Sequence, residues 1–196
     1  MPRTQSAFIL LFLTFNYCSD REDKIEESEN LFTISNEKFS IARAGIADFG
    51  IDPTAILYTG NFLVLLFVTE GITFSTEANG NLLLTGTGAI LGLVTFSNSN
   101  DYLDDGNYFV NLRPPFEKGD VSIGFYTTTF DSKEVNGPYF DYEGIPILSG
   151  KMTVNNLEEN IQITLNMIDE IGNKINFNYE GMLDLLTYNI PPKILQ

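Results

Sequence analysis

Ile161-Gln162-Ile163-Thr164-Leu165-Asn166-Met167 alternates apolar and polar residues without a break. Asp169-Glu170-Ile171-Gly172-Asn173 follows and carries turn residues, and Ile175-Asn176-Phe177-Asn178-Tyr179 alternates again. A period of two places every second side chain on one face of an extended chain, so both runs read as half-buried strands. Upstream, Gly150-Lys151-Met152-Thr153-Val154 leads into Asn155-Asn156, and downstream Gly181 precedes Met182-Leu183-Asp184-Leu185. Together they predict a three-stranded antiparallel meander with one dry face and one wet face. Asn, Gln and Thr fill the wet face, where charged residues are more usual.

The same grammar extends towards the N-terminus. Further strands are expected near residues 39–44, 55–58, 62–68, 72–75, 82–85, 89–96, 108–112, 121–130 and 145–148, rich in Val, Ile, Thr, Tyr and Phe. Phe62-Leu63-Val64-Leu65-Leu66-Phe67-Val68 is apolar on both faces, which predicts a strand covered on both sides or facing lipid. Glu77-Ala78-Asn79-Gly80-Asn81 has Asn-Gly at its centre, a hairpin signal. From Leu31 onward no stretch has helical periodicity. Many strands separated by turn residues predict an all-β fold, an antiparallel β-sandwich, with a closed, lipocalin-like β-barrel as the alternative. Residues 31–196 are expected to form a single all-β domain, large enough to bury a core without disulfides.

Composition narrows the function. The chain has 196 residues, 26 Asp and Glu against 11 Lys and Arg, and a net charge of −15. A nucleic-acid partner is not expected, because phosphate contacts need a basic footprint. With no His and a single Cys, a Ser-His or Cys-His pair, a His-ligated metal and an internal disulfide are all excluded.

That one cysteine lies in an informative place. Arg3 precedes an apolar run from Ala7 to Phe15, and Cys18 follows it. Nine helical residues rise only ~13 Å, too little for a bilayer core and suited to the centre of a secretory signal. The position of Cys18 resembles the lipidation cysteine of bacterial lipoproteins, although Phe15 and Tyr17 stand where that family has an aliphatic and a small residue. The resemblance implies a signal peptide over residues 1–17, a diacylglyceryl group on Cys18 and a membrane partner reached through that lipid. Residues 18–30 are rich in acid (Asp20, Glu22, Asp23, Glu26, Glu27 and Glu29) and read as a solvated tether. They also resemble the acidic export segment of Bacteroidetes-type surface lipoproteins. The spacing Ser149-Gly150-x-Met152-x-Val154, Ile161-x-Ile163-x-Leu165 and Tyr179-x-Gly181-x-Leu183 is similar to small surface lipoproteins of that type. It implies an outer-membrane or cell-surface location and an all-β domain, and carries over no catalytic motif.

Candidate sites lie in loops. Asn136-Gly137-Pro138-Tyr139-Phe140-Asp141-Tyr142 places aromatics beside hydrogen-bonding groups, which suits stacking on sugar faces. Tyr139, Tyr142, Asp141, Asn136 and Tyr102 are the expected ligand residues, with Tyr108 similar; the alternative is that they plug the end of the fold. Asp101, Asp104 and Asp105 are candidate Ca²⁺ ligands, although the spacing is not that of an EF-hand and Asp turns bonding their own backbone explain them equally. Apart from that cation no cofactor is expected. Thr85-Gly86-Thr87-Gly88 lacks the Lys-Ser/Thr and the helix of a phosphate loop, and reads as a bulge or tight turn. The expected function is non-catalytic recognition of a glycan or another surface component. The alternatives are a structural or adhesin-type interaction protein, a carboxylate-based hydrolase using acids such as Asp141 and Glu143, or a small lipid-embedded barrel.

Overall fold

The computed structural model describes residues 30–51, 57–76, 82–98, 102–132 and 144–186. They form eleven strands: β1 (Leu31–Ile34), β2 (Glu37–Ile51), β3 (Asn61–Thr69), β4 (Ile72–Thr76), β5 (Leu82–Ser97), β6 (Gly106–Val110), β7 (Asp120–Asp131), β8 (Ile145–Asn156), β9 (Ile161–Asp169), β10 (Lys174–Gly181) and β11 (Asp184–Leu185). Among the described residues no helix is long and apolar enough to cross a membrane.

The C-terminal meander forms as the alternation predicts. β8 pairs antiparallel with β9 and β9 with β10, in register from Val154↔Ile163 to Phe177↔Leu165. Its dry face holds Met152, Val154, Ile163, Leu165, Ile175 and Phe177, all buried. Its wet face carries Lys151, Asn166, Lys174 and Asn176, all exposed.

The sandwich expectation is corrected to the closed barrel. The order β1-β10-β9-β8-β6-β7-β5-β3-β2 returns to β1 and makes a ring of nine strands. The four residues of β1 close it. Phe32 pairs with Phe177 of β10 on one side and with Phe39 of β2 on the other. A sandwich would leave β10 and β2 as open edges, whereas closure satisfies both rows of backbone groups. Asn30 completes the seam: its side chain donates to the Glu180 carbonyl (3.0 Å) and accepts from the Glu180 N–H (2.7 Å). Its carbonyl accepts from the Ile41 N–H (2.8 Å). Elsewhere in the ring, β6 is a wedge, parallel to β7 and antiparallel to β8. Beyond the wedge β7 and β8 pair directly at Tyr126↔Ile145.

The doubly apolar strand β3 divides its side chains between two cores. Leu63, Leu65 and Phe67 point into the barrel, where Phe67 meets the Phe177 ring edge-on with centroids 4.5 Å apart. Phe62, Val64, Leu66 and Val68 point outward into a second cluster with Ile72, Phe96, Phe116, Phe130 and Leu186. Fully burying one such side chain contributes about 1.5–3 kcal/mol, so the outer cluster is a substantial part of the fold. The barrel therefore has an apolar inside, a covered apolar flank over β3 and β5, and a polar flank over β8, β9 and β10. A lipid-spanning barrel has the reverse arrangement, with an apolar outer band and a polar lumen.

The segments expected at 82–85 and 89–96 are one strand. The Leu82–Gly86 half of β5 pairs with β4, and from Thr87 onward it pairs with β7. Gly86 (φ +109) lies at the change of partner, where a Cβ would fall 1.8 Å from the Gly71 carbonyl oxygen, so only glycine fits. A bulge follows between Gly88 and Ile90. The Gly-x-Gly run is thus a strand crossing. The Glu77–Asn81 hairpin signal lies outside the described residues; the strands flanking it pair antiparallel, ending at Thr76↔Leu82.

Candidate functional site

The two ends of the barrel differ. At one end Asp169 and Asn173 tie the β9–β10 turn, and Ser35 of the β1–β2 turn bonds Asn173 (2.8 Å). At the other end three connections surround an open cleft of about 610 Å³: residues 102–105, the β8–β9 turn at 157–160, and the β10–β11 connection at 182–183.

Each connection is held in place by its own hydrogen bonds. The Leu157 N–H donates to the Asn160 carbonyl (2.8 Å) and closes the β8–β9 turn. Asn156 donates through its side chain to the Leu103 carbonyl (2.9 Å) and through its N–H to Asp105, which fastens the 102–105 loop to β8. Leu103 is buried and lines the cleft with Ile46 and Ile161. Tyr179 donates to the Met182 carbonyl (2.5 Å), and Gly181 leaves room for its ring, since a Cβ there would lie 2.8 Å from the hydroxyl. Burial, then the Asp184 charge, push the Tyr179 hydroxyl above its ordinary pKa. Burial likewise raises Tyr108, opposed by a Ser97 hydrogen bond and supported by the Asp104 charge. Both phenols stay protonated as structural donors at neutral pH.

The rim of the cleft is apolar. Tyr102 (70% exposed), Leu157 (46%), Met182 (75%) and Leu185 (71%) all line it and are among the large apolar side chains left exposed in the described residues. Their gathering at one mouth is informative, whereas single exposed apolar residues are ordinary. Glu158, Glu159, Asn156 and Asn160 supply the polar part of the lining.

Of the ligand residues expected from sequence, Tyr102 stands on this rim. Asn136, Tyr139, Asp141 and Tyr142 lie outside the described residues, as do Asp101, Glu143 and Cys18. Tyr108 is corrected: it is 2% exposed, with its hydroxyl bonded to the Asp104 carbonyl (3.0 Å), and belongs to the barrel core. Asp104 accepts from the Asn98 N–H (2.9 Å) and pairs with Lys118 (3.2 Å), and Asp105 accepts from Asn156. Both carboxylates are therefore engaged as loop fasteners. Among the described residues no three Asp, Glu or Cys side chains come together in a way that would hold a metal ion.

Sequence reasoning missed Leu157, Met182, Leu185, Glu158 and Glu159. The signal for them is an apolar residue inside a connection whose flanking strands already have their dry faces filled, as with Leu157 after Asn155-Asn156 and Met182 after Gly181.

Fold and site define a closed, mainly antiparallel β-barrel with a cleft of about 610 Å³ at one mouth. Comparison with known proteins adds no relative: no family model matches the chain, and no curated protein or solved structure matches it.

Proposed function

We propose that this chain is a non-catalytic recognition barrel, exported and held to a membrane by a lipid on Cys18, that takes a small ligand with an apolar body at the mouth of the barrel. The observation that supports this reading is the convergence of Tyr102, Leu157, Met182 and Leu185 on one cleft of about 610 Å³. That volume is within the ~300–1,000 Å³ of ordinary ligand sites. The barrel interior is filled by Phe67, Phe177 and Tyr179, so a ligand seats in the mouth and not in the lumen. A tether over residues 18–29 would reach up to ~40 Å if fully extended, enough to hold the mouth clear of the headgroups. Two or three acyl chains anchor stably where one does not.

Decyl maltoside below its micelle concentration is a suitable neutral probe, titrated calorimetrically against the full chain. Met182→Asp with Leu185→Asp places charge on the rim and is expected to weaken binding at least tenfold without lowering Tm, since both residues are exposed. Absence of binding, or binding indifferent to these changes, overturns the reading. Binding of oligosaccharides that survives Met182→Asp/Leu185→Asp and is lost on Tyr139→Ala/Tyr142→Ala would return the site to the glycan loop. Anchoring is tested separately: Cys18→Ala is expected to release the chain from the membrane fraction.

A further inference from the structure

The lining of the cleft is uneven in charge as well as in polarity. Glu158 and Glu159 sit side by side in the β8–β9 turn, exposed, immediately after the rim residue Leu157. Neither makes an ion pair among the described residues. Two cations beside these connections are already committed. Arg43 is bound to Asp184 (2.7 Å), next to the rim residue Leu185, and Lys118 is bound to Asp104 (3.2 Å) beneath the 102–105 loop. Among the described residues no basic side chain lines the cleft. The lip thus carries two carboxylates with no ion-pair partner among the described residues, beside an apolar floor of Ile46, Leu103 and Ile161.

From this pairing of an apolar floor with an acidic lip we infer that the cleft selects amphiphiles bearing a cationic headgroup. This rests on the ligand-binding reading above. An apolar chain lying on Leu103 and Ile161 leaves its head at the lip, where Glu158 and Glu159 are the first charged groups it meets. A quaternary ammonium there gains Coulomb attraction and keeps part of its hydration, and the Tyr102 ring, on the loop that Asn156 fastens beside the same turn, offers a π-face to the same cation. A sulfate head is repelled by the same two carboxylates, and a sugar head is indifferent to them. The attraction acts between exposed groups, so it weakens as salt shortens the screening length.

Three probes with one tail separate the contributions: decyltrimethylammonium, decyl maltoside and decyl sulfate, each below its micelle concentration, titrated against the full chain. The expected order is ammonium roughly tenfold tighter than maltoside, with sulfate weakest, in line with two partly exposed ion pairs. Glu158→Gln/Glu159→Gln is expected to bring the ammonium probe to the affinity of the maltoside probe and to leave the maltoside probe unchanged. Glu37→Gln/Glu70→Gln removes the same amount of charge from exposed positions elsewhere and is expected to change neither. Equal affinity for all three probes, in a protein whose binding is still lost on Met182→Asp/Leu185→Asp, overturns the headgroup inference and leaves the cleft reading standing. A cation preference that survives Glu158→Gln/Glu159→Gln, or that the Glu37→Gln/Glu70→Gln control erases equally, assigns the effect to the overall charge of −15 and also overturns it. Absence of binding by every probe defeats the cleft reading itself.

Discussion

Removing the Tyr126 hydroxyl and the Asp169 carboxylate, singly and together, tests the lock at the closed end of the barrel. Asp169 is 2% exposed at the end of β9 and accepts four hydrogen bonds: from Tyr126 Oη (2.6 Å), the Ile171 N–H (3.0 Å), the Asn173 N–H (2.8 Å) and Asn173 Nδ2 (2.9 Å). Burial alone would raise its pKa; the four donors outweigh burial and hold the carboxyl below its ordinary value. Tyr126 is pushed up to about 12, by burial first and then by its bond to Asp169. Tyr126→Phe deletes one hydrogen bond to a charged acceptor, which costs about 1.5–3 kcal/mol. Asp169→Ala deletes all four and strands the buried Tyr126 hydroxyl, costing roughly 3–5 kcal/mol. In the double variant that hydroxyl is no longer orphaned, so the cost falls short of the sum by about 1.5–2 kcal/mol. Urea unfolding followed by far-UV circular dichroism measures all three. The pH dependence supplies a second readout. A carboxyl whose pKa is lowered by folding contributes stability that is present above its unfolded value near ~3.9 and is lost as pH falls through the folded value. A phenol raised to about 12 contributes stability that is present below its unfolded value near ~10 and is lost as pH rises towards 12. Asp169→Asn should therefore flatten the acid limb relative to wild type, and Tyr126→Phe the alkaline limb. Additive costs, with both limbs unchanged, would refute the lock.

Phe67→Ala should lower stability by about 3–5 kcal/mol, because the ring is fully buried and packs edge-on against both Phe177 and Tyr179. A loss below about 1 kcal/mol in the same unfolding assay would mean that the lumen is not filled as described. Arg43→Ala should change stability by less than about 1 kcal/mol, since the pair with Asp184 is roughly half exposed on both sides and the guanidinium lies 5.1 Å over the Phe74 ring without being buried. Thermal melts at low and high salt check this, with the small effect expected to shrink as salt rises.

The meander was legible because its two faces meet different surroundings. Residues such as Asn166 and Asn176 face water while Leu165 and Phe177 face the core, and the pattern records both. β3 carries no such contrast. Both of its faces are buried, in two separate clusters, so its composition reports that it is covered but not by what. The choice between sandwich and barrel was settled by β1, four residues whose closing contacts with β10 are more than 140 positions away in sequence. No local pattern encodes a contact at that separation. Gly86-Thr87-Gly88 broke the alternation of β5 and so resembled a turn, although the glycines are there because β4 and its turn press against the strand. The acid-rich loop at Asp104-Asp105 reads the same whether its oxygens face an ion or backbone N–H groups, and only the positions of Asn98 and Asn156 decide.

The rim residues were illegible for a related reason. A methionine or leucine near a strand end reads as core, and Met182 and Leu185 follow a strand whose inward positions are Ile175, Phe177 and Tyr179. What changes their meaning is that the interior is already full. Leu103 and Ile161 close the packed region from below, so apolar groups added beyond them have no core left to enter. The opposite end is tied by polar groups, with Asp169, Asn173 and Ser35 bonding one another's turns, although Ile171 in the same β9–β10 turn is also left exposed. A chain solving only the problem of closure could have used that device at both ends. Four apolar side chains are left exposed at this mouth, and on the proposed reading occupation of the cleft by a ligand would return their surface to an apolar environment.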